Sequence, residues 1–176
     1  MAHFTDSGIG EMFPTQLLTN VSDALSRCRD SQITIVTAES CTGGLISSCL
    51  TEISGASHVF IQGYVVYSNE AKTEVLGVSN YLIERYGAVS EQVARAMAEG
   101  ALLQSPASLS ISCTGIAGPN SDSSTKPIGR VHLCCALRNG ESQHLKSDYG
   151  NIGRSEIRLA AVADAMRLIT TAADSL

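Results

Sequence analysis

The sequence predicts an α/β fold in which a mixed, mostly parallel sheet of about five strands lies between two layers of helices. Two observations predict this class. Segments with helical spacing of apolar residues alternate with short β-branched segments through the first two thirds of the chain, and a hairpin pattern precedes one last helix. Alternation favours parallel strands with helices on both faces, and the hairpin adds antiparallel strands.

Length and composition bound the other possibilities. The 176 residues correspond to one domain, expected over residues 14–176 after a loose leader, residues 1–13. Hydrophobic residues make up 44% and charged residues 16%, which excludes a disordered chain, and a net charge of −5 argues against a general nucleic-acid surface. With no long apolar stretch and no signal-peptide pattern, we expect a cytoplasmic protein that does not bind membranes. Six cysteines without C-x-x-C spacing and four scattered histidines predict reduced thiols and no metal site.

The first half of the chain begins with a helix and a buried strand. Helical spacing of apolar residues starts at Pro14 or Thr15 and continues to Cys28. Residues 33–37 form a β-branched strand, residues 39–44 a glycine turn and residues 45–53 a helix. A second strand is predicted over residues 58–67.

The middle of the chain is predicted to be helical. Residues 69–76 and 81–86 form short helices that end at glycines. Ser90 is placed to cap a longer helix over residues 91–104.

The last third begins with an apolar strand over residues 109–113, which leads into a glycine-containing segment. A polar loop over residues 120–127 follows. The turn at residues 138–140 then joins strands 129–137 and 142–149, and a helix spans residues 155–173.

Two strands end in loops rich in glycine and hydroxyl side chains, residues 38–44 and 114–119. Ligands of open α/β sheets bind outside the carboxyl ends of the strands. The first loop opens a helix, so its N–H groups can face an anion or a developing oxyanion. Alternatively, its glycines form only a tight turn, and Ser40 or Thr42 caps the helix. Neither the P-loop nor the G-x-G-x-x-G fingerprint is present.

Basic residues on two of the predicted helices also have two interpretations each. Lys72 lies about one turn after Ser68 on a short helix, where it is either a solvated residue or a desolvated base for a serine nucleophile. Arg154 and Arg158 begin the last helix, where they form either a solvated basic face or, through Arg154, a phosphate clamp.

Taken together, these motifs resemble the CinA C-terminal domain family over about residues 14–172. The resemblance rests on TAESCTGG (37–44), GYVVYSNEAK (63–72), GAVSEQVARAMAEGAL (87–102), CTGIAGP (113–119) and KPIG (126–129). Its characterised members are nicotinamide mononucleotide (NMN) amidohydrolases, also called NMN deamidases. The resemblance implies a three-layer α/β/α fold and hydrolysis of the carboxamide of NMN to nicotinic acid mononucleotide and ammonia, with neither metal nor cofactor.

The family motifs fall on named positions of this chain. Ser40 is the expected nucleophile, Lys72 its base, and Tyr67 relays or orients the proton, while N–H groups of the turn at residues 41–44 hold the oxyanion. The expected substrate-binding residues are Thr42, Gly43, Gly44, Asn69, Thr114, Gly115 and Arg154. We expect NMN as the small-molecule partner and a homo-oligomer.

Other functions fit the same motifs. One is a non-catalytic nucleotide-binding or regulatory module of the same fold, linked to competence or recombination partners. Another is hydrolysis of a different amide or ester by the same residues. Release of ammonia from NMN distinguishes these alternatives.

Overall fold

The structure describes residues 12–121 and 125–175, which contain six α-helices and five strands. In this computed structural model they follow one another as α1 (Thr15–Asp30), β1 (Ile35–Glu39), α2 (Leu45–Thr51), β2 (Phe60–Val65), α3 (Asn69–Leu76), α4 (Asn80–Tyr86), α5 (Glu91–Leu103), β3 (Leu109–Gly115), β4 (Arg130–Leu137), β5 (Ser142–Asp148) and α6 (Arg154–Asp174). A short 3-10 turn precedes β2. Within those two ranges, no helix is long and apolar enough to cross a membrane.

The strands form one mixed sheet in the order β2-β1-β3-β4-β5. β1 pairs in parallel with β2 and β3, whereas β4 pairs antiparallel with β3 and β5. The predicted fold class is therefore confirmed. The chain passes from β1 to β2 and then crosses to the other side of β1 as β3. This change of direction leaves a crevice at the carboxyl ends of β1 and β3, where open α/β sheets bind ligands.

Helices cover both faces of the sheet, with α1, α2 and α6 on one face and α3, α4 and α5 on the other. Alternation along β4 divides the core, because Leu133 and Cys135 join the first layer while Cys134 and Ala136 join the second. Phe13, which the sequence analysis assigns to the leader, is buried in the first layer. The rest of the predicted leader up to residue 11, and residues 122–124 of the predicted polar loop, lie outside the described residues.

The bounds of β1 differ from the prediction. The sequence predicts a strand over residues 33–37, but the strand runs Ile35–Glu39. Ile33 belongs to the connection, since its N–H donates to Cys28 at the end of α1. A glutamate is rarely fully buried in a strand, so the apolar pattern alone ended the prediction before Glu39.

Candidate active site

A pocket of about 300 Å³ opens at the carboxyl ends of β1, β2 and β3. Ser40 follows β1, Thr114 lies near the end of β3, Tyr67 follows β2, and Arg154 begins α6. The remaining wall consists of Cys41, Val89 and residues 115–120. The pocket lies at the crevice given by the strand order, and its volume is at the lower end of the range for small-molecule sites, about 300–1,000 Å³.

The turn after β1 is held by Glu39, a residue that the sequence analysis did not identify as functional. Its side chain is fully buried. Its carboxylate accepts hydrogen bonds from the N–H groups of Gly44, Ile46 and Ser47 and from the Ser47 hydroxyl, at 2.7–3.0 Å. Glu39 thus pairs N–H groups at the start of α2 that have no partner within the helix. Positive φ angles of 61° at Gly43 and 91° at Gly44 turn the chain back onto this carboxylate.

The same bonds limit which amides of the turn can bind a substrate. The N–H of Gly43 donates to the carbonyl of Ser40 at 3.0 Å, and that of Gly44 donates to Glu39. The N–H groups of Cys41 and Thr42 remain from the predicted set of oxyanion donors. The Thr42 side chain is fully buried, and its Oγ1 has no hydrogen-bond partner among the described residues. Within this turn, Cys41 lines the pocket, but the predicted ligands Thr42, Gly43 and Gly44 do not.

Lys72 is buried against the segment that follows β2. Its Nζ donates to the backbone carbonyls of Val66, Tyr67 and Ser68 at 3.1, 3.1 and 3.3 Å. Only 1% of the residue is exposed, so the interpretation of Lys72 as a solvated helix residue is wrong. Burial lowers the pKa of Lys72, and nearby acidic groups raise it in part.

The predicted serine–lysine pair is not hydrogen-bonded. The three hydrogen bonds of Lys72 go to backbone carbonyls, and Lys72 is not among the residues that line the pocket, whereas Ser40 is. Proton transfer between them requires a rearrangement or an intervening water.

Tyr67 and Asn69 take different places from those expected. The Tyr67 side chain is exposed, and its hydroxyl lies 3.5 Å from Nη2 of Arg154 at the pocket edge. Only its backbone carbonyl contacts Lys72, so the geometry does not support a proton relay through the phenol. Asn69 is the exposed first residue of α3 and does not line the pocket.

Two arginines at the start of α6 hold the loops around the pocket. Arg154 donates from Nη1 to the carbonyl of Gly118 at 2.6 Å, and Arg158 donates from Nη2 to that of Thr42 at 2.8 Å. Arg154 lines the pocket, but Arg158 does not. The N-cap residue of α6 is Gly153, which has no side chain, so among the described residues no side chain of the N-cap pairs the first N–H groups of the helix. Its unpaired N–H groups and the positive end of the helix dipole therefore add to the charge of Arg154.

The opposite wall is attached to the turn between α4 and α5. The hydroxyl of Thr114 donates to the carbonyl of Ala88 at 2.9 Å, and Nζ of Lys126 donates to that of Val89 at 2.7 Å. A Cβ at Gly115 would lie 2.9 Å from a backbone oxygen of β4, so only glycine fits there. Thr114 and Gly115 thus line the same pocket as Ser40, and their role as substrate ligands stays a prediction.

Known proteins share this sequence and fold. A sequence model of the CinA C-terminal domain matches residues 17–173, a range that contains every residue of the pocket. A CinA-like protein of Colwellia psychrerythraea is 46% identical over 144 residues, covering 81% of this chain and 33% of the relative. One from Synechococcus sp. is 46% identical over 149 residues, covering 84% and 36%. The chain spans about a third of the length of these curated relatives.

Two solved structures match nearly their whole length. The competence/damage inducible protein CihA of Agrobacterium tumefaciens superposes with a TM-score of 0.90 at 43% identity, covering 94% of this chain and 99% of that one. A competence-damaged protein (CinA) superfamily protein of Escherichia coli superposes with a TM-score of 0.83 at 30% identity, covering 96% and 98%. The three-layer arrangement around the pocket is therefore shared with these proteins.

Proposed function

The chain belongs to the CinA C-terminal domain family, and we propose that it hydrolyses the carboxamide of nicotinamide mononucleotide to nicotinic acid mononucleotide and ammonia. The observation that carries this proposal is that the buried Ser40 and the arginine Arg154 line the same pocket. Hydrolysis of an amide requires a nucleophile that attacks its carbonyl carbon, and a phosphate is bound by a cationic side chain. Ser40 and Arg154 therefore suit the carboxamide end and the phosphate end of NMN.

Ser40 acts as the nucleophile. Its backbone is fixed in the sheet, because its N–H donates to the carbonyl of Cys113 at 2.9 Å. Attack of Oγ on the carboxamide carbon creates an oxyanion, for which the N–H of Cys41, the residue of this turn that lines the pocket beside Ser40, is the available donor. One such donor contributes about 2.7–4 kcal/mol to stabilisation of the transition state. Ammonia then leaves and water hydrolyses the acyl-enzyme; direct attack by water gives the same products.

Lys72 acts as the base. Three backbone carbonyls accept from Nζ of Lys72, one for each N–H group of an ammonium. Burial acts in the opposite direction, because it lowers the pKa of Lys72 and so raises the fraction of the neutral amine. A neutral amine keeps two N–H donors and gains a lone pair. Deprotonation therefore releases one carbonyl, and the contact to Ser68, at 3.3 Å, is the longest of the three. The lone pair then accepts the Ser40 proton directly or through a water.

Arg154 and the start of α6 bind the 5′-phosphate. A guanidinium makes two parallel hydrogen bonds to a phosphate, and unpaired helix N–H groups add further donors. The exposed hydroxyl of Tyr67, beside Arg154, is placed to contribute another hydrogen bond. Thr114 and Gly115 then face the ribose and ring between the two ends of the substrate.

Two further features belong to this proposal. All six cysteines are free, which supports a reducing compartment, and we place the protein in the cytoplasm. Ile61 and Val65 are exposed on the edge strand β2, which supports a homo-oligomer.

The test is ammonia release from NMN by the purified chain. Ser40→Ala should reduce turnover by about 10³-fold or more, while NMN still raises the melting temperature. Ser48→Ala, on the part of α2 away from the pocket, is the matched control and should keep full activity. If NMN stabilises the wild-type chain but no ammonia appears, the chain is a nucleotide-binding module. Near-normal turnover of Ser40→Ala would refute the nucleophile assignment.

A further inference from the structure

Two thiols meet at the inner wall of the pocket. Sγ of Cys41 and Sγ of Cys113 lie 3.6 Å apart. Cys41 directly follows Ser40 and lines the pocket, whereas Cys113 lies on β3 and is completely buried. The proposed hydrolysis uses the Cys41 backbone but neither sulfur atom.

We propose that Cys41 and Cys113 form a reversible oxidation site, at which a hydroperoxide entering the pocket oxidises Cys41 and Cys113 then closes a disulfide. This inference rests on the geometry of the pocket and not on the identity of its substrate.

The chemistry takes two steps. The Cys41 thiolate attacks one oxygen of hydrogen peroxide, an S–O bond forms and the O–O bond breaks, so that Cys41 becomes a sulfenic acid and the peroxide is reduced to water after taking up a proton. Cys113 sulfur then attacks the Cys41 sulfur. The S–O bond breaks, and the departing hydroxide takes the Cys113 proton and leaves as a second water. One disulfide and two waters result from two thiols and one peroxide.

The environments of the two sulfur atoms assign these roles. Cys41 lines the pocket, so a peroxide that enters the pocket can contact this residue first. Cys113 does not line the pocket. Contact with the Cys41 thiol, and then burial, raise the pKa of Cys113. Cys113 therefore acts as the resolving thiol. Closure requires the sulfur atoms to approach from 3.6 Å to about 2.05 Å. Cys113 is held in β3, so this shift falls on Cys41 in the turn after β1.

A disulfide here would join the turn that carries Ser40 to the end of β3, which forms the facing wall. Shifting Cys41 toward Cys113 moves the amides next to Ser40. Oxidation should therefore stop any activity that uses this pocket, and a dithiol reductant should restore it.

The experiment treats the full chain with a small excess of hydrogen peroxide and maps disulfides in proteolytic peptides by mass spectrometry, with and without dithiothreitol. The expected product is a Cys41–Cys113 disulfide that forms before any of the other four cysteines changes and that dithiothreitol removes. In Cys113→Ala, Cys41 should instead be trapped by dimedone as a sulfenic acid and, with excess peroxide, become irreversibly oxidised. Cys49→Ala, a buried thiol on α2, is the matched control and should form the disulfide like the wild type.

Cys113→Ser serves as a second variant if the alanine variant does not fold. Unmodified Cys41 at peroxide levels that already oxidise other cysteines would overturn the proposal. So would equal dimedone labelling of Cys41 in the wild type and in both Cys113 variants, because Cys113 would then not resolve the sulfenic acid. These readouts are masses, so they remain decisive if the chain does not hydrolyse NMN.

Discussion

Replacing Glu39 by glutamine tests how the site is built. The carboxylate accepts two hydrogen bonds on each oxygen: Oε2 from the N–H groups of Gly44 and Ile46, and Oε1 from the N–H and hydroxyl of Ser47. In Glu39→Gln the amide oxygen, placed at Oε2, keeps the contacts with Gly44 and Ile46, and the NH₂ group takes the place of Oε1. The Ser47 hydroxyl can reverse and accept from this NH₂ group, whereas the Ser47 N–H loses its acceptor. Because a hydrogen bond to a charged group is worth about 1.5–3 kcal/mol, this loss should lower the free energy of unfolding by about 1.5–3 kcal/mol.

Urea unfolding followed by circular dichroism measures this change, and the melting temperature should fall by about 3–12 °C. Activity should also fall at temperatures where the variant is still folded, since the amide of Cys41 loses its fixed position beside Ser40. Glu52→Gln, the same change at an exposed position at the end of α2, should alter stability by no more than about 0.5 kcal/mol. A Glu39→Gln variant within about 1 kcal/mol of the wild type would refute the view that this carboxylate holds the turn.

Three further predictions follow from other contacts. Because burial lowers the pKa of Lys72, the rate should rise with pH around a midpoint below the ordinary lysine value of about 10.4. Lys72→Arg should be inactive at every pH, because the guanidinium stays protonated. Substantial activity of Lys72→Arg would show that the residue supplies only charge. Arg154→Lys should raise KM for NMN about tenfold, and the riboside should be a poor substrate; equal kcat/KM for riboside and NMN would exclude a phosphate clamp. Gly100→Ala should lower the free energy of unfolding by about 2 kcal/mol or more, since the Cβ of the alanine would lie 2.1 Å from the carbonyl oxygen of Leu76. An unchanged urea midpoint would show that α5 can shift to make room for it.

Apolar patterns were sufficient to predict the order of the helices and strands. The helices show helical spacing of apolar residues, whereas the central strands β1, β3 and β4 are buried on both faces and stand out as short runs of β-branched and apolar residues. Loops at strand ends pointed to Ser40 and Thr114, and the start of the last helix pointed to Arg154; all three line the pocket. Glu39 was missed as a functional residue. Its role depends on N–H groups five to eight residues further along the chain, which become donors only after the turn and α2 have formed. The signal that could have revealed this role is a glutamate at the end of an apolar strand, followed directly by a serine and, four and five residues further on, by two glycines.

The role of Lys72 shows a second limit of sequence analysis. Its position after Ser68 and Asn69 suggested a pocket lysine, but the three groups that hold it are backbone carbonyls, which have no sequence signature. Tyr67 was predicted to act through its hydroxyl and contacts Lys72 through its carbonyl instead. Side-chain identity therefore located the segment, whereas the path of the backbone determined which atoms meet.

The attachment of α6 has a consequence for the time at which the site comes into existence. Arg158 is bonded to Thr42 across 116 residues, and Arg154 to Gly118 across 36 residues. Both loops of the pocket thus depend on a helix that follows them in the sequence. A nascent chain carries Ser40 long before the arginines that fix its surroundings have been synthesised, so the pocket assembles only after α6 has left the ribosome. Proteolytic loss of this helix would leave the nucleophile in place but remove both attachments.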